Sequence, residues 1–187
     1  MVSKEELVEL GKLVLQSDLN TLYIKNVRIE ENANEHGSMT VRLLSAKQLS
    51  SEDVLRCQGS MIRLMTTEGE CVFCGQCVSI NMIRANKYAE VEVVAKSLSV
   101  LTDQAPRDQV FQETGKTLNS VLSAGIGSEA LIRLDEDMPI SEMLSQEKET
   151  DWVFGRRIAN QYGKQFFVNS KADHCQIHIG NAPFQKK

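Results

Sequence analysis

The stretch from Tyr88 to Lys96 alternates with a period of two. Ala89, Val91, Val93 and Ala95 fall on one side, and Glu90, Glu92 and Val94 on the other. Such a segment can bury one face only as a β-strand, because helical geometry would scatter the same residues around the axis. A lone strand is not stable, so the chain must supply further strands and bend them around one core.

It does so on both sides of this segment. Leu22, Ile24, Val27 and Ile29 alternate with polar neighbours, with a phase slip near Asn26 that a bulge would absorb. The run Asn32-Ala33-Asn34-Glu35-His36-Gly37 has turn chemistry, and Met39, Val41 and Leu43 resume the alternation. Met61–Thr66 and Cys71–Met82 form a second expected pair, reversing at Thr67-Glu68-Gly69-Glu70.

Helical spacing enters later. Leu118, Val121 and Leu122 share a side within Lys116–Ala124, which Gly125 and Gly127 close. Glu149–Tyr162 is the best helix of the chain. Trp152, Phe154, Ile158 and Ala159 fit its packed face, and Asp151 sits in the first turn, where a carboxylate is favoured. Ala130–Leu134, Gln165–Asn169 and Gln176–Ile179 are further strand candidates, and Asp135–Pro139 is an acidic turn.

The expected fold class is mainly β, with two small barrel-like domains and short helices between and within them. Residues 1–18 form an N-terminal helix or a peripheral strand. Residues 19–100 form the first and more complete barrel, 101–128 a connector with a short helix, and 129–187 an incomplete second barrel. With only three strand candidates, the second barrel needs more chain or another subunit to cover its edge.

Composition narrows the functional classes. A net charge of −4 without a concentrated basic face argues against sequence-specific nucleic-acid binding. Aromatic residues make up only 5% of the chain, so Tyr23, Phe73 and Tyr88 make a poor base-stacking platform. Apolar runs fall short of the ~20 residues of a membrane helix, and the acidic start, Glu5 and Glu6, is unlike a signal peptide. No membrane insertion is expected.

Cys71, Cys74 and Cys77 are the most tempting chemical feature, and Cys57 could nominally add a fourth ligand for zinc or an iron–sulfur cluster. In a strand, however, Cys71 and Cys77 share one face while Cys74 takes the other, so three thiolates do not converge. The expected roles are those of small core residues, with no metal and no cofactor. His174 and His178 are four apart, more than ~12 Å along a strand at ~3.3 Å per residue, and His36 sits in a turn. Ser, His and Asp residues are present for a nucleophilic triad, but no Gly-x-Ser-x-Gly elbow accompanies them. Gly125-Ile126-Gly127 is followed by Ser128-Glu129 rather than by phosphate-binding residues. No enzyme activity is expected.

The order of these segments resembles a known family. Leu22 through the Asn34-Glu35-His36-Gly37 turn, Val72-Phe73-Cys74-Gly75, and Val91 to Leu98 look like the N-terminal part of contractile-injection baseplate hub proteins. These comprise phage tail hub and late-control D proteins and the hub portion of VgrG spikes. Asp151-Trp152-Val153-Phe154-Gly155-Arg156-Arg157-Ile158-Ala159 is similar to that family's DW-x-F-x-x-R-x-A helix, and Phe166-Phe167-Val168 and Ile177-His178-Ile179-Gly180 to the strands after it.

The resemblance implies two barrels per subunit in a homotrimeric ring that joins the central spike to the tail tube. It also implies assembly in the bacterial cytoplasm, residence in a virion tail or injection particle, and a subunit longer than 187 residues. Trp152, Phe154, Ile158, Gly37 and Gly75 are then packing residues. Cys71, Cys74 and Cys77 depart from the family pattern and keep open a zinc- or iron–sulfur-binding redox or accessory protein; a barrel that binds single-stranded nucleic acid is a separate alternative.

Overall fold

The computed structural model describes residues 10–19, 21–45, 49–85, 89–112, 115–127 and 130–181. Residues 1–9 of the expected N-terminal helix or peripheral strand, and Tyr88, lie outside this set. The chain forms two compact units. One comprises Met1–Ile29 with Ser38–Ala95, and the other Glu30–Gly37 with Lys96–Lys187.

The first unit contains β1 (Leu13–Gln16), β2 (Thr21–Glu30), β3 (Ser38–Ser45), helix α1 (Ser51–Cys57), β4 (Met61–Thr66), β5 (Cys71–Ala85) and β6 (Ala89–Ser97), whose last two residues belong to the other unit. The strands make one six-stranded sheet in the order β1-β4-β5-β6-β3-β2. Chain length alone shows that this sheet is curled. Strands β1 and β2 lie at opposite edges yet are joined by four residues, 17–20. Five peptide steps reach at most about 18 Å at ~3.6 Å each. A flat six-stranded sheet would hold its edges about 24 Å apart at ~4.8 Å per strand. The sheet therefore curls into a half-barrel without closing.

The alternating residues line its inside. Met39, Val41, Leu43, Ala89, Val91, Val93 and Ala95 are fully buried, and Ile62, Leu64 and Phe73 complete the core from β4 and β5. Each large side chain there contributes roughly 1.5–3 kcal/mol by leaving water. In β2, Ile24 is buried while Lys25 and Asn26 are both exposed, which is the phase slip expected near Asn26. The β4–β5 turn holds Gly69 at φ 92°, a left-handed value that a glycine adopts without strain.

Helix α1 begins in the polar run Ser50-Ser51-Glu52-Asp53, between strands. Ser50 and Asp53 form a reciprocal capping box: the Ser50 hydroxyl accepts from the Asp53 N–H, and the Asp53 carboxylate accepts from the Ser50 N–H at 3.0 Å.

The second unit contains a turn of 3-10 helix (Leu98–Asp103), β7 (Arg107–Phe111), α2 (Leu118–Ile126), β8 (Ala130–Leu134), β9 (Leu144–Glu149), α3 (Asp151–Gln161), β10 (Gln165–Val168) and β11 (Cys175–Gly180). Its sheets are small: β10-β11-β8, and a β7-β9 ribbon. β10 and β11 form the expected antiparallel hairpin, whereas β8 runs parallel to β11, with α3 in the crossover that a parallel pair requires. The protein is thus β-rich, with one curled, open sheet in the first unit and two short helices packed with small sheets in the second.

Helices α2 and α3 follow their caps. The hydroxyls of Thr117 and Thr150 accept from Ser120 and Val153 N–H at 3.3 Å each, and Gly127 ends α2 at φ 88°. α2 buries Leu118, Val121, Leu122, Gly125 and Ile126, while α3 buries Trp152, Phe154, Gly155, Ile158 and Ala159.

Candidate functional site

The densest constellation of polar and aromatic side chains surrounds Glu30–Gly37, the tip of the β2–β3 hairpin, which is built into the second unit. Asn34 occupies the left-handed region, φ 63°, which asparagine tolerates better than most residues. There its N–H donates to the Phe166 carbonyl at 2.8 Å, and its Oδ1 accepts from the Phe166 N–H at 3.0 Å. One residue thus satisfies both backbone groups of Phe166 and blunts the outer edge of β10. On one side of it Glu31 accepts from the Ser170 N–H at 3.3 Å and from its hydroxyl.

On the other side His36 enters a half-buried pocket. Its Nδ1 lies 2.8 Å from Ser99 Oγ and its Nε2 3.3 Å from Asp103 Oδ2, and its ring lies 3.9 Å, centroid to centroid, from that of Trp152. A carboxylate only accepts, so Nε2 carries the proton and Nδ1 accepts from Ser99. Ser99 Oγ in turn lies 2.8 Å from Ser97 Oγ. The Thr150 hydroxyl, which caps α3, also donates to Asp103, so the relay reaches from the hairpin tip to the α3 N-terminus.

Gly37 closes this site from the chain side. Its carbonyl accepts from the Ser97 N–H at 2.8 Å, and a Cβ there would lie 3.2 Å from that of Ser170. Of the packing residues expected from sequence, the structure therefore brings Gly37 and Trp152 to one place. Trp152 also meets Phe166 edge-on at 5.3 Å. Phe154 and Ile158 are fully buried in the same unit, with Phe111 5.6 Å from Phe154. Gly75 is buried opposite Ile62 in the first unit.

Ser99, His36 and Asp103 reproduce the residue types of a hydrolytic triad, separated by 63 and 67 positions, which sequence spacing could not reveal. Their setting is not that of a nucleophile. Ser99 is fully buried and its hydroxyl is engaged by both Ser97 and His36, so no external carbonyl can reach it. The arrangement holds one piece of backbone against another.

Burial pushes the His36 pKa below its ordinary value. Asp103 opposes this shift, while Lys96 and Arg156 add to it. A depressed pKa means that the neutral ring stabilises the fold. That contribution is complete above about pH 6.5 and is lost as pH falls through the lower folded value. We expect the stability of this unit, followed in urea by fluorescence of Trp152, the single tryptophan, to decline on acidification below pH 6.5. His36→Gln should flatten that part of the pH profile. An identical pH slope in the variant would show that His36 does not carry the effect.

The α3 start is fixed independently. Asp151 accepts from Arg107 Nε at 2.8 Å, from a second Arg107 nitrogen, and from Gln146 Nε2 at 3.0 Å. Arg107 Nη2 also reaches the Gly125 carbonyl at 3.1 Å, tying β7, the end of α2 and the start of α3 together.

The cysteines take separate places. Cys77 lies in the core cluster of the first unit with Cys57, whereas Cys74 is fully buried outside that cluster and Cys71 is half-buried. Burial pushes Cys77 up to about 11, with Cys57 beside it adding to the shift, and burial alone puts Cys175 at about 11. Thiols so raised are poor ligands and nucleophiles. Among the described residues no three His, Cys, Asp or Glu side chains gather as a metal site would require. His174 pairs with Asp173 at 2.8 Å and His178 with Asp135 at 3.0 Å. No helix among the described residues is long and apolar enough to cross a membrane.

The fold defines a class, a curled open sheet whose hairpin tip completes a helix-backed second unit, and solved proteins share it. No family model matches the chain, and no curated protein matches it. The 43 kDa tail protein of prophage MuSo2 from Shewanella oneidensis matches 91% of this chain with a TM-score of 0.68 at 14% identity. The tail protein of Neisseria meningitidis MC58 matches 94% with a TM-score of 0.66 at 12% identity. The E. coli c3393 protein matches 90% with a TM-score of 0.62 at 15% identity. It is described as a component of the type VI secretion system with structural similarity to the T4 phage tail proteins gp27 and gp5. The chain spans about half the length of these structures, 53%, 52% and 48% respectively.

Proposed function

We propose that this chain is a structural component of a phage tail or related contractile injection apparatus. Within it, the chain forms the N-terminal part of a baseplate hub subunit that joins the central spike to the tail tube. The observation that carries this reading is the shared fold over at least 90% of the chain with three proteins described as parts of tails or secretion systems. The order of motifs from Leu22 to Gly180 supports it independently. The role is mechanical. Side chains that a catalyst would expose are here spent on internal bonds, as the His36 relay and the Arg107–Asp151 pair illustrate.

In this reading the small sheets of the second unit are part of a second barrel completed by further chain, and three subunits form a ring of barrels. Assembly takes place in the bacterial cytoplasm and the product resides in the particle. A stable ring needs interfaces of at least about 1,000 Å², with apolar burial contributing about 25 cal/mol per Å² before association costs. Light scattering on the full product of the reading frame should give three times the subunit mass. A strict monomer at high micromolar concentration would count decisively against the ring.

A further inference from the structure

Cys57 and Cys77 share the buried core cluster of the first unit, each 1% exposed. The backbone brings them together, because the turn that follows α1 lies directly on β5. Gln58, at φ −67° and ψ 124°, and Gly59, at φ 82°, form the two corners of this turn, and the Ser60 N–H closes it on the Cys57 carbonyl at 3.0 Å. Gly59 donates its N–H to the Cys77 carbonyl at 2.8 Å, and the Cys77 N–H donates to the Ser60 carbonyl at 2.9 Å. Two side-chain amides pin the same crossing: Gln58 donates to the Val78 carbonyl at 3.2 Å and Gln76 to the Gly59 carbonyl at 2.9 Å. Two inward thiols thus converge on one glycine bulge. Cys71 shares the strand face of Cys77 but stands about 20 Å away at ~3.3 Å per residue, and Cys74 is buried outside the cluster.

We propose that Cys57 and Cys77 form a latent disulfide, closed by a small-molecule disulfide such as oxidised glutathione and reopened by thiol reductants, which staples the end of α1 to β5. The inference rests on this thiol pair and does not require the tail reading. In the closed core both thiols are shielded from an oxidant. Helix α1 offers the way in, because Ser51, Glu52, Leu55 and Arg56 are exposed and seven residues are too few for a helix that is stable by itself. Local unwinding uncovers Cys57. Its thiol gives up a proton, its sulfur attacks one sulfur of oxidised glutathione, and the glutathione S–S bond breaks to release one glutathione thiolate. When α1 returns, the Cys77 thiol loses its proton in turn, attacks the Cys57 sulfur and displaces the second glutathione thiolate. Two protein thiols are oxidised to a disulfide, one glutathione disulfide is reduced to two thiols, and the two protons pass to the departing thiolates. The staple encloses β4 and its turn to β5 in a covalent loop, which restricts the unfolded chain more than the folded one.

The test treats the reduced 187-residue protein with oxidised glutathione in native buffer, followed by intact mass. A species lighter by two hydrogens should form, and dithiothreitol should remove it. After free thiols are blocked with iodoacetamide, trypsin, which cleaves after Arg56, Arg63 and Arg84, should yield peptide 57–63 joined to peptide 64–84. Fragmentation should place the link on Cys77 rather than on Cys71 or Cys74. Cys57→Ala and Cys77→Ala should each abolish the lighter species, and Cys71→Ala should leave it. Because the link is read in the parent protein, the result stands even where a variant at a buried cysteine does not fold. Hydrogen exchange of the α1 amides should slow about tenfold in the oxidised protein, since the unwinding that exposes them is tied down.

Any of four results would overturn the proposal. The protein stays fully reduced in native buffer, or it carries glutathione as mixed disulfides with no internal link. The link joins Cys57 or Cys77 to Cys71, Cys74 or Cys175 instead. A link between Cys57 and Cys77 that appears only after β4 and β5 have lost their exchange protection would be a product of the unfolded chain, and would overturn it too.

Discussion

Replacing Trp152 by alanine is expected to destabilise the second unit by about 3–5 kcal/mol, the usual loss for a large aromatic side chain removed from a packed site. Trp152 is 2% exposed and sits on the first turn of α3, where it touches two structures at once. One is the His36 ring, brought by the hairpin tip, and the other is Phe166 on β10. Removing the indole empties the space between them, and neither neighbour can collapse into it freely. His36 is tethered by Ser99 and Asp103, and Phe166 by both of its backbone bonds to Asn34.

The variant loses the intrinsic fluorescence, so the measurement is far-UV circular dichroism in urea together with hydrogen exchange. Amides of α3, β10 and Asn34 should lose protection, while β3 and β6, whose apolar faces lie in a different core, keep theirs. Trp152→Phe should recover part of the loss. A change below about 1 kcal/mol, the level of ordinary surface substitutions, would mean that the indole does not hold the tip in place.

Where the sequence carries a local period, it predicts the structure closely. β3 and β6 bury every second residue over their lengths, and their alternation is visible without any knowledge of partners. α3 is legible for the same reason, since Trp152, Phe154, Ile158 and Ala159 keep helical spacing. The ribbon β7–β9 escapes because its strands do not alternate in hydrophobicity. Arg107–Phe111 has one buried residue, and β9 buries the polar Gln146 beside Leu144. Gln146 is held there by bonds to the Glu149 carbonyl and Asp151, partners that a polarity scale cannot register. Helix α1 has a readable signal, Ser50 followed three residues later by Asp53, but its seven residues are too few for a period to emerge.

The hairpin-tip site is the least legible part. The pattern Asn34-Glu35-His36-Gly37 marks a turn, yet nothing local distinguishes a turn exposed to water from one inserted into a neighbouring unit. That distinction depends on Ser99, Asp103, Trp152 and Phe166, all of them more than sixty residues away. Asn34 and Gly37 do leave a trace, because both suit backbone that most residues avoid or spaces too tight for a side chain. The three cysteines are the converse case, in which sequence clustering suggests a common purpose that the pleat of β5 separates.

The crossing of α2 and α3 yields the second large effect. Gly125 on α2 faces the Phe154 ring, and an added Cβ would overlap it. Gly155 on α3 faces Ile126 and Phe166, and its Cβ would lie 2.8 Å from an atom of each. The two glycines are reciprocal, each admitting a large side chain adjacent to the other: Phe154 packs on Gly125, and Ile126 on Gly155. The helices can therefore approach more closely than two alanine-bearing faces would allow. Neither obstacle can yield cheaply. Phe154 is fully buried beside Phe111, and Phe166 is wedged under Trp152.

Gly155→Val should accordingly cost about 3 kcal/mol, the upper end of ordinary overpacking, even though valine's lower helix penalty relative to glycine works slightly the other way. Gly155→Ala should cost less, yet still destabilise, although alanine is the better helix former at an exposed position. The sign of that alanine result is the discriminating measurement, read as the urea midpoint of Trp152 fluorescence. If Gly155→Ala stabilised the unit, helix propensity would outweigh the steric term, and the close approach of α2 and α3 would not be what these glycines are for.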